Sequence, residues 1–163
     1  MLKPYIQISE AFRRKQDTLH FIKKAEKDTL AVYKYPEGTL VDLNEADTTE
    51  LKKIPGIGSG IARMIVAYRK RLGGFYDMAQ LKEVNYVDED MLRWFKLGNA
   101  PIHRINANKA GLDKLRSHPY MNFYQAKVII EYRRKKGKLK SLSQLSLYEE
   151  FTEKDLERLS HYL

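Results

Sequence analysis

Between Ser59 and Leu72 the apolar residues Ile61, Ile65, Tyr68 and Leu72 recur three or four positions apart, which predicts one helix with a single buried face. The pattern returns further along the chain. Leu51 to Phe95 superimposes on Leu115 to Leu159 without a gap. Leu51 falls on Leu115, Pro55 on Pro119, Ala62 on Ala126, Ile65 on Ile129, Tyr68 on Tyr132, Arg69 on Arg133, Gly73 on Gly137, Leu81 on Leu145 and Leu92 on Leu156. The long helix of the second copy is therefore expected over roughly Phe123 to Lys136.

Helix boundaries repeat with the core positions. A first helix should start at Asp47, with Glu50 completing a capping box, and stop before Pro55, because the residue ahead of a proline is pushed out of the helical region. Gly73 and Gly74 are expected to end the long helix. Asp77 with Gln80 and Ser141 with Gln144 read as capping boxes, and Asp88 and Thr152 as N-caps. These place short helices near Met78 to Val84 and Asp88 to Phe95, and their counterparts in the second copy. Upstream of Leu51 the register is read as slipping by two, from Asn44 ahead of Pro55 to Asn106 ahead of Pro119, as if the second copy held a small insertion.

Ahead of the repeats, Ser9 to Asp28 reads as a helix with Phe12, Leu19, Ile22 and Ala25 inward, and Leu30 to Gly38 as an extended linker turning at Pro36-Glu37-Gly38. No strand network is expected. The fold class is all-α, with two small four-helix units in tandem and an N-terminal helical extension. The expected boundaries are 1–40, 41–98 and 99–163.

Composition adds three constraints. With no cysteine, disulfides and thiolate metal sites are excluded. No apolar run approaches the roughly 18 residues that span a bilayer, and Met1 to Glu10 lacks a signal-peptide pattern, so a soluble protein is expected. The net charge of +9 suggests a polyanionic partner. That charge is uneven: residues 1–40 carry 8 Lys/Arg against 5 Asp/Glu, residues 41–98 carry 9 against 9, and residues 99–163 carry 13 against 7. The excess sits chiefly in "RRKKGKLK", Arg133 to Lys140, a run that as a type is more often a solvated helix end than a site.

Candidate chemistry is concentrated in "IPGIG", Ile54 to Gly58. Two helices joined by so short a link must reverse sharply, and glycine permits positive φ and close backbone approach. A glycine turn feeding a helix N-terminus also leaves amide hydrogens unpaired and converging, which suits a phosphate. From this stretch alone, a purely geometric corner and an anion site remain equally open.

The longer stretch from Val41 to Val84 resembles the helix-hairpin-helix motif of the ComEA-like competence proteins, which bind DNA during uptake. The matching positions are Asn44 to Ala46, Leu51 four positions before Pro55, Gly56-Ile57-Gly58, Ala62, and "AYR" ahead of Gly74 and Phe75. The resemblance covers Val41 to about Phe95 and extends more weakly over His103 to Leu163. It implies tandem paired helix-hairpin-helix units, and double-stranded DNA held by its backbone without sequence readout. It also implies a bacterial protein, extracytoplasmic or anchored through a segment outside this sequence. The hairpin Gly56, Ile57 and Gly58 would then present the amides of Gly58, Ser59, Gly60 and Ile61 to a phosphate. Ile57 would pack under the loop and Arg63 would pair with the anion.

Other hairpins depart from this pattern. "VNYVDED", Val84 to Asp90, and "YEEFTEKD", Tyr148 to Asp155, are acidic. In "HPYMN", His118 to Asn122, Tyr120 replaces Gly56 and Asn122 replaces Gly58; asparagine tolerates positive φ, but Tyr120 and Phe123 add bulk where a phosphate would approach. Compensation is expected from Lys127, which occupies the position of Arg63, and from Arg133, Arg134, Lys135 and Lys136 through counterion release. Histidine spacing suggests no metal site, and no cofactor fingerprint or nucleophile–base pair is found, so no enzymatic activity is expected. Double-stranded DNA is the leading partner, with DNA uptake and DNA repair both left open as the process, because the motif also occurs in repair and replication proteins. A protein-interaction scaffold of the same fold is the rival.

Overall fold

Side-chain caps set most of the helix ends. In the computed structural model the described residues are 33–163; the expected helix over Ser9 to Asp28 and the first part of the expected linker lie outside them. Asp47 accepts from the amides of Thr49 and Glu50 at 2.7 and 2.8 Å and opens α1, Thr48–Leu51. Helix α2 spans Ser59–Leu72 and closes on Gly73 at φ +94°. A Cβ on Gly73 would lie 2.4 Å from the His103 carbonyl oxygen, so both the left-handed turn and the close passage of the inter-unit link require glycine there.

The segment Met78–Glu83 forms a 3-10 helix capped by Asp77, and α3 follows at Glu89–Leu92 behind Asp88. In the second unit α4 is Leu112–Arg116, α5 is Phe123–Lys136, a 3-10 helix covers Leu142–Leu145 and α6 is Glu153–Ser160. Ser141 and Thr152 cap as their sequence positions predict.

One element was not expected. Val41–Asp42 (β1) and Phe95–Lys96 (β2) pair in parallel, with Val41 opposite Phe95. Val41 N donates to Trp94 O at 2.8 Å and Leu43 N to Lys96 O at 3.0 Å. The ladder gives partners to the buried backbone at the two ends of the first unit. Strands this short carry too little alternation to be read from sequence.

Residues Lys34–Leu163 fold as one compact unit holding two hydrophobic cores, one per repeat. Leu51, Ala62, Ile65 and Leu81 are fully buried in the first, and Leu115, Ala126, Ile129 and Leu145 in the second. Alanine at the helix crossing of each unit lets the two helices approach.

The expected insertion in the second copy is absent. Asn44 donates to Phe75 O and accepts from Phe75 N at 2.9 and 2.8 Å; Asn108 makes the same pair with Leu139 at 2.8 and 2.7 Å. Arg69 Nη1 donates to the carbonyls of Leu43 and Ala46, and Arg133 Nη1 to those of Ala107 and Ala110. The register that places Leu51 on Leu115 thus continues upstream and places Asn44 on Asn108. Asn106 instead corresponds to Asp42; each accepts from the amide two positions on. Both asparagines of "NAN" suit the lead-in by type, and only their hydrogen bonds tell them apart.

The third hairpin locks the units together. His118 takes the core position of Ile54 and is buried, its Nε2 3.0 Å from Leu72 O at the end of α2 and its Nδ1 3.2 Å from Tyr120 N. A carbonyl only accepts, so Nε2 carries the proton and Nδ1 receives the Tyr120 amide; the ring is neutral and fully partnered. Gln80 donates to the hydroxyls of Tyr120 and Tyr162 at 2.8 and 2.9 Å, and Tyr162 donates to Gly74 O at 2.9 Å. Glu83 accepts from Tyr68 and Tyr120 and pairs with Arg158.

Burial is the main force pushing the His118 pKa below its ordinary value; the Leu72 bond opposes it, and Arg71 and Lys114 add to the depression. Protonation favours the unfolded chain, where histidine titrates near 6.5. Stability is therefore full above that pH and falls as pH drops through it. Thermal melts should show a midpoint that declines below about pH 6.5, and His118→Gln should flatten the decline. An unchanged profile in that variant contradicts the assignment.

Candidate nucleic-acid interface

The four hairpins among the described residues close through the same backbone hydrogen bond, with positive φ at the third residue in the first two and ordinary φ in the last two. Ile57 N donates to Ile54 O at 3.1 Å, Val87 N to Val84 O at 3.2 Å, Met121 N to His118 O at 3.1 Å and Phe151 N to Tyr148 O at 3.1 Å. Each turn delivers the chain, in extended conformation, to an N-cap: Gly58, Asp88, Asn122 and Thr152. The hairpins differ in what that N-cap does.

Asp88 accepts from Met91 N at 3.0 Å, Asn122 from Gln125 N at 2.9 Å and Thr152 from Asp155 N at 3.2 Å. Gln125 and Asp155 reach back to close capping boxes. Gly58 has no side chain to offer. The amides of Gly58, Ser59, Gly60 and Ile61 donate no hydrogen bond to any described residue, and the first acceptance on that helix is from Ala62 N to Gly58 O. A Cβ on Gly58 or Gly60 would meet nothing within 4 Å, so neither glycine is required there by crowding. These unpaired donors sit at the positive end of a 14-residue helix, where an anion is favoured.

Only Gly56 uses the conformational freedom expected of both hairpin glycines. It lies at φ +83°, the third position of a Pro-led turn, whereas Gly58 is extended at φ −93°. The value of Gly58 is the side chain it lacks. Asn122 is likewise extended, at φ −86°, so its expected tolerance of positive φ is not called on and its side chain caps α5 instead. Tyr120 does not crowd the helix start either: its hydroxyl turns to Gln80 and Glu83, where burial first and the Glu83 bond next push its pKa up to about 12.

Ile57 is buried in the first core and Ile61 is half-buried, while Ser59, Gly60 and Arg63 are exposed. Arg63 Nε donates to Ser59 O at 3.2 Å, which folds the guanidinium back along the first turn of α2. The carbonyl side of the hairpin has its own cation: Lys34 Nζ donates to Lys52 O at 2.6 Å and Ile54 O at 3.1 Å, and lies 3.4 Å from Ile57 O. Tyr35 N donates to Lys53 O beside it. Lys34 escapes sequence reasoning, because it stands well upstream of the hairpin in a segment without periodicity.

Among the basic residues of the second unit the structure separates two roles. Arg133 does not belong with the surface cations, because its guanidinium bonds the carbonyls of Ala107 and Ala110 at 3.1 and 2.6 Å. Its counterpart Arg69 signals the same use at the equivalent position. Lys127 and Lys135 lie 3.9 and 3.7 Å from Glu131, and Lys136 sits over the rings of Tyr132 and Tyr148. Arg134 is exposed beside a cavity of about 450 Å³ lined by Asn108, Arg133 and Lys138. Lys127 stands near the start of α5, at the position of Arg63 in α2, whereas Arg134, Lys135 and Lys136 lie at the C-terminal end of α5.

A helix-hairpin-helix motif model matches the chain over 37–94 and again over 101–163. The chain belongs to the helix-hairpin-helix family. The two matched stretches begin at equivalent points of the repeat, in the register set by Asn44 and Asn108, and they establish two tandem units in a mostly helical fold. Helix-hairpin-helix motifs are in general nucleic-acid-binding elements, which supports DNA as a partner.

Three relatives are proteins named endonuclease/exonuclease/phosphatase family domain-containing protein 1. The mouse protein is 27% identical over 154 residues, covering 74% of this chain and 27% of its own length. The Xenopus laevis protein is 25% identical over 146 residues, with 74% and 26% covered, and the Danio rerio protein 28% over 127, with 64% and 23% covered. The chain therefore spans about a quarter of the relatives it matches. Their names overturn the sequence-based expectation that sets this chain apart from enzymes, an expectation drawn only from catalytic motifs missing in these 163 residues. No solved structure matches the chain.

The hairpin geometry separates its two glycines by experiment. Gly56→Ala should lower stability by about 1–2 kcal/mol, from a forced positive φ and the Met91 Cε that a Cβ would meet at 3.2 Å. Gly58→Ser should leave stability unchanged or raise it by a few tenths of a kcal/mol, roughly the worth of a serine over a glycine cap. Urea denaturation of both variants checks this ordering.

Proposed function

We propose that the chain holds double-stranded DNA by its backbone, without reading sequence, through a phosphate seated on the amides of Gly58, Ser59, Gly60 and Ile61. The observation that carries this reading is the uncapped start of α2 beside three capped ones. Arg63, one turn along, supplies a charge to the same phosphate. Lys127, Arg134, Lys135 and Lys136 add diffuse attraction; being flexible cations, they release counterions without selecting a base.

Two settings for such a module have support. The relatives, by name, place a similar region in proteins with an endonuclease/exonuclease/phosphatase domain, and in that setting the module presents DNA to phosphodiester chemistry. The ComEA-like features of Val41 to Val84 favour DNA uptake instead. The backbone-holding role is common to both, and we place it ahead of a protein scaffold because the open amides offer nothing to an apolar partner.

Titration of a fluorescent duplex at several salt concentrations tests the reading. Affinity should fall with log[salt] at a slope of about −0.9 per phosphate, for roughly 3 to 6 contacts, and should change little with base sequence. Gly58→Asp, which copies the Asp88 cap, should keep the fold and weaken binding by about tenfold or more. Salt-independent binding, or full affinity in a folded Gly58→Asp variant, contradicts it.

A further inference from the structure

The second hairpin carries a residue that neither packing nor phosphate binding explains. Tyr86 lies at φ +66°, unlike every other non-glycine among the described residues, and its side chain is 78% exposed. Its ring makes no hydrogen bond or ring contact with a described residue. The conformation is that of Gly56, which holds the same turn position at φ +83°, so the second hairpin keeps the first hairpin's turn but fills its glycine position with a tyrosine. Tyr120 and Glu150 hold that position at ordinary φ, and Asn85, a residue suited to positive φ, stands one place earlier. A bulky residue in the left-handed region, displayed to solvent, is a strained feature of the kind found at ligand contacts.

Its surroundings narrow the ligand. Met91, on the helix that this hairpin enters, packs against Gly56, so the second hairpin adjoins the phosphate-binding one. Asp88, Glu89 and Asp90 follow closely after Tyr86; Asp88 caps Met91 N, and Glu89 pairs with Lys82 at 2.6 Å. This hairpin therefore repels a phosphate and offers an aromatic face in its place. In continuous duplex DNA both faces of each base are covered by neighbours, and inserting a ring there carries an unstacking cost. At a strand end or single-stranded overhang a base face is already free.

We infer that Tyr86 is a base-stacking residue: with a phosphate on the first hairpin, its ring covers an unstacked base at a strand end or overhang of the same DNA. This rests on the phosphate reading of the first hairpin and adds to it a preference for DNA ends over closed duplex.

The test compares a short duplex, whose single-stranded overhang carries 2-aminopurine at the first unpaired position, with relaxed, covalently closed circular DNA as competitor. The parent chain should bind the overhang duplex about five-fold or more tightly per site at equal salt, with a change in 2-aminopurine emission. Tyr86→Phe should keep both effects. Tyr86→Asn should lose both while raising the melting midpoint by about 2–4 °C, because asparagine accepts positive φ more readily. A Tyr86→Asn variant that retains the overhang preference overturns the inference. Gly58→Asp distinguishes the layers: if it leaves both DNAs bound normally while Tyr86→Asn still erases the preference, the phosphate reading fails and the stacking role stands.

Discussion

Every α-helix begins with amide hydrogens that have no partner inside the helix, and the hairpins of this protein are organised around that requirement. A tight turn brings the chain to each helix start in the same extended conformation, so the N-cap side chain alone decides whether those amides are closed by the protein or left for something else. Aspartate, asparagine and threonine close three of the four hairpins. Glycine leaves one open. The glycine that matters to the fold and the glycine that matters to an anion are thus different residues, Gly56 and Gly58, two positions apart.

Repetition freed the other hairpins for different work. In the third, histidine replaces the core isoleucine, and His118 and Tyr120 reach the end of α2 and the Gln80–Glu83 segment, where they become part of the joint between the units. Gln80 ties Tyr120 and Tyr162 to the first unit, and Tyr76 stacks on His161 with ring centroids 3.7 Å apart. A phosphate-binding hairpin must stay open, while a docking hairpin must be buried and fully partnered. One copy cannot do both, and the two copies divide the roles.

Much of this was legible in the sequence because it is local. The helix bounds at Ser59 and Phe123 and the boxes at Asp47, Asp77 and Ser141 depend on neighbours within four positions, which pattern and capping chemistry capture. The register upstream of Leu51 is misread from sequence because only distant hydrogen bonds distinguish Asn106 from Asn108. What escaped depends on distant partners. Arg133 looked like a surface cation because nothing nearby reveals that it bonds the carbonyls of Ala107 and Ala110, far upstream in the chain. Lys34 under the hairpin, the β1–β2 ladder and the penetration of Tyr162 into the first core are equally non-local. The positive φ of Tyr86 contradicts local preference, so local reasoning could not foresee it.

Backbone amide NMR of the chain during titration with a short blunt duplex tests the central claim most directly, because it observes the donors themselves. The account predicts large shifts at Ser59, Gly60 and Ile61, and little change at the capped amide of Gln125, the structurally equivalent position in the second unit. Saturation of the duplex complex with Ser59, Gly60 and Ile61 unmoved would contradict it.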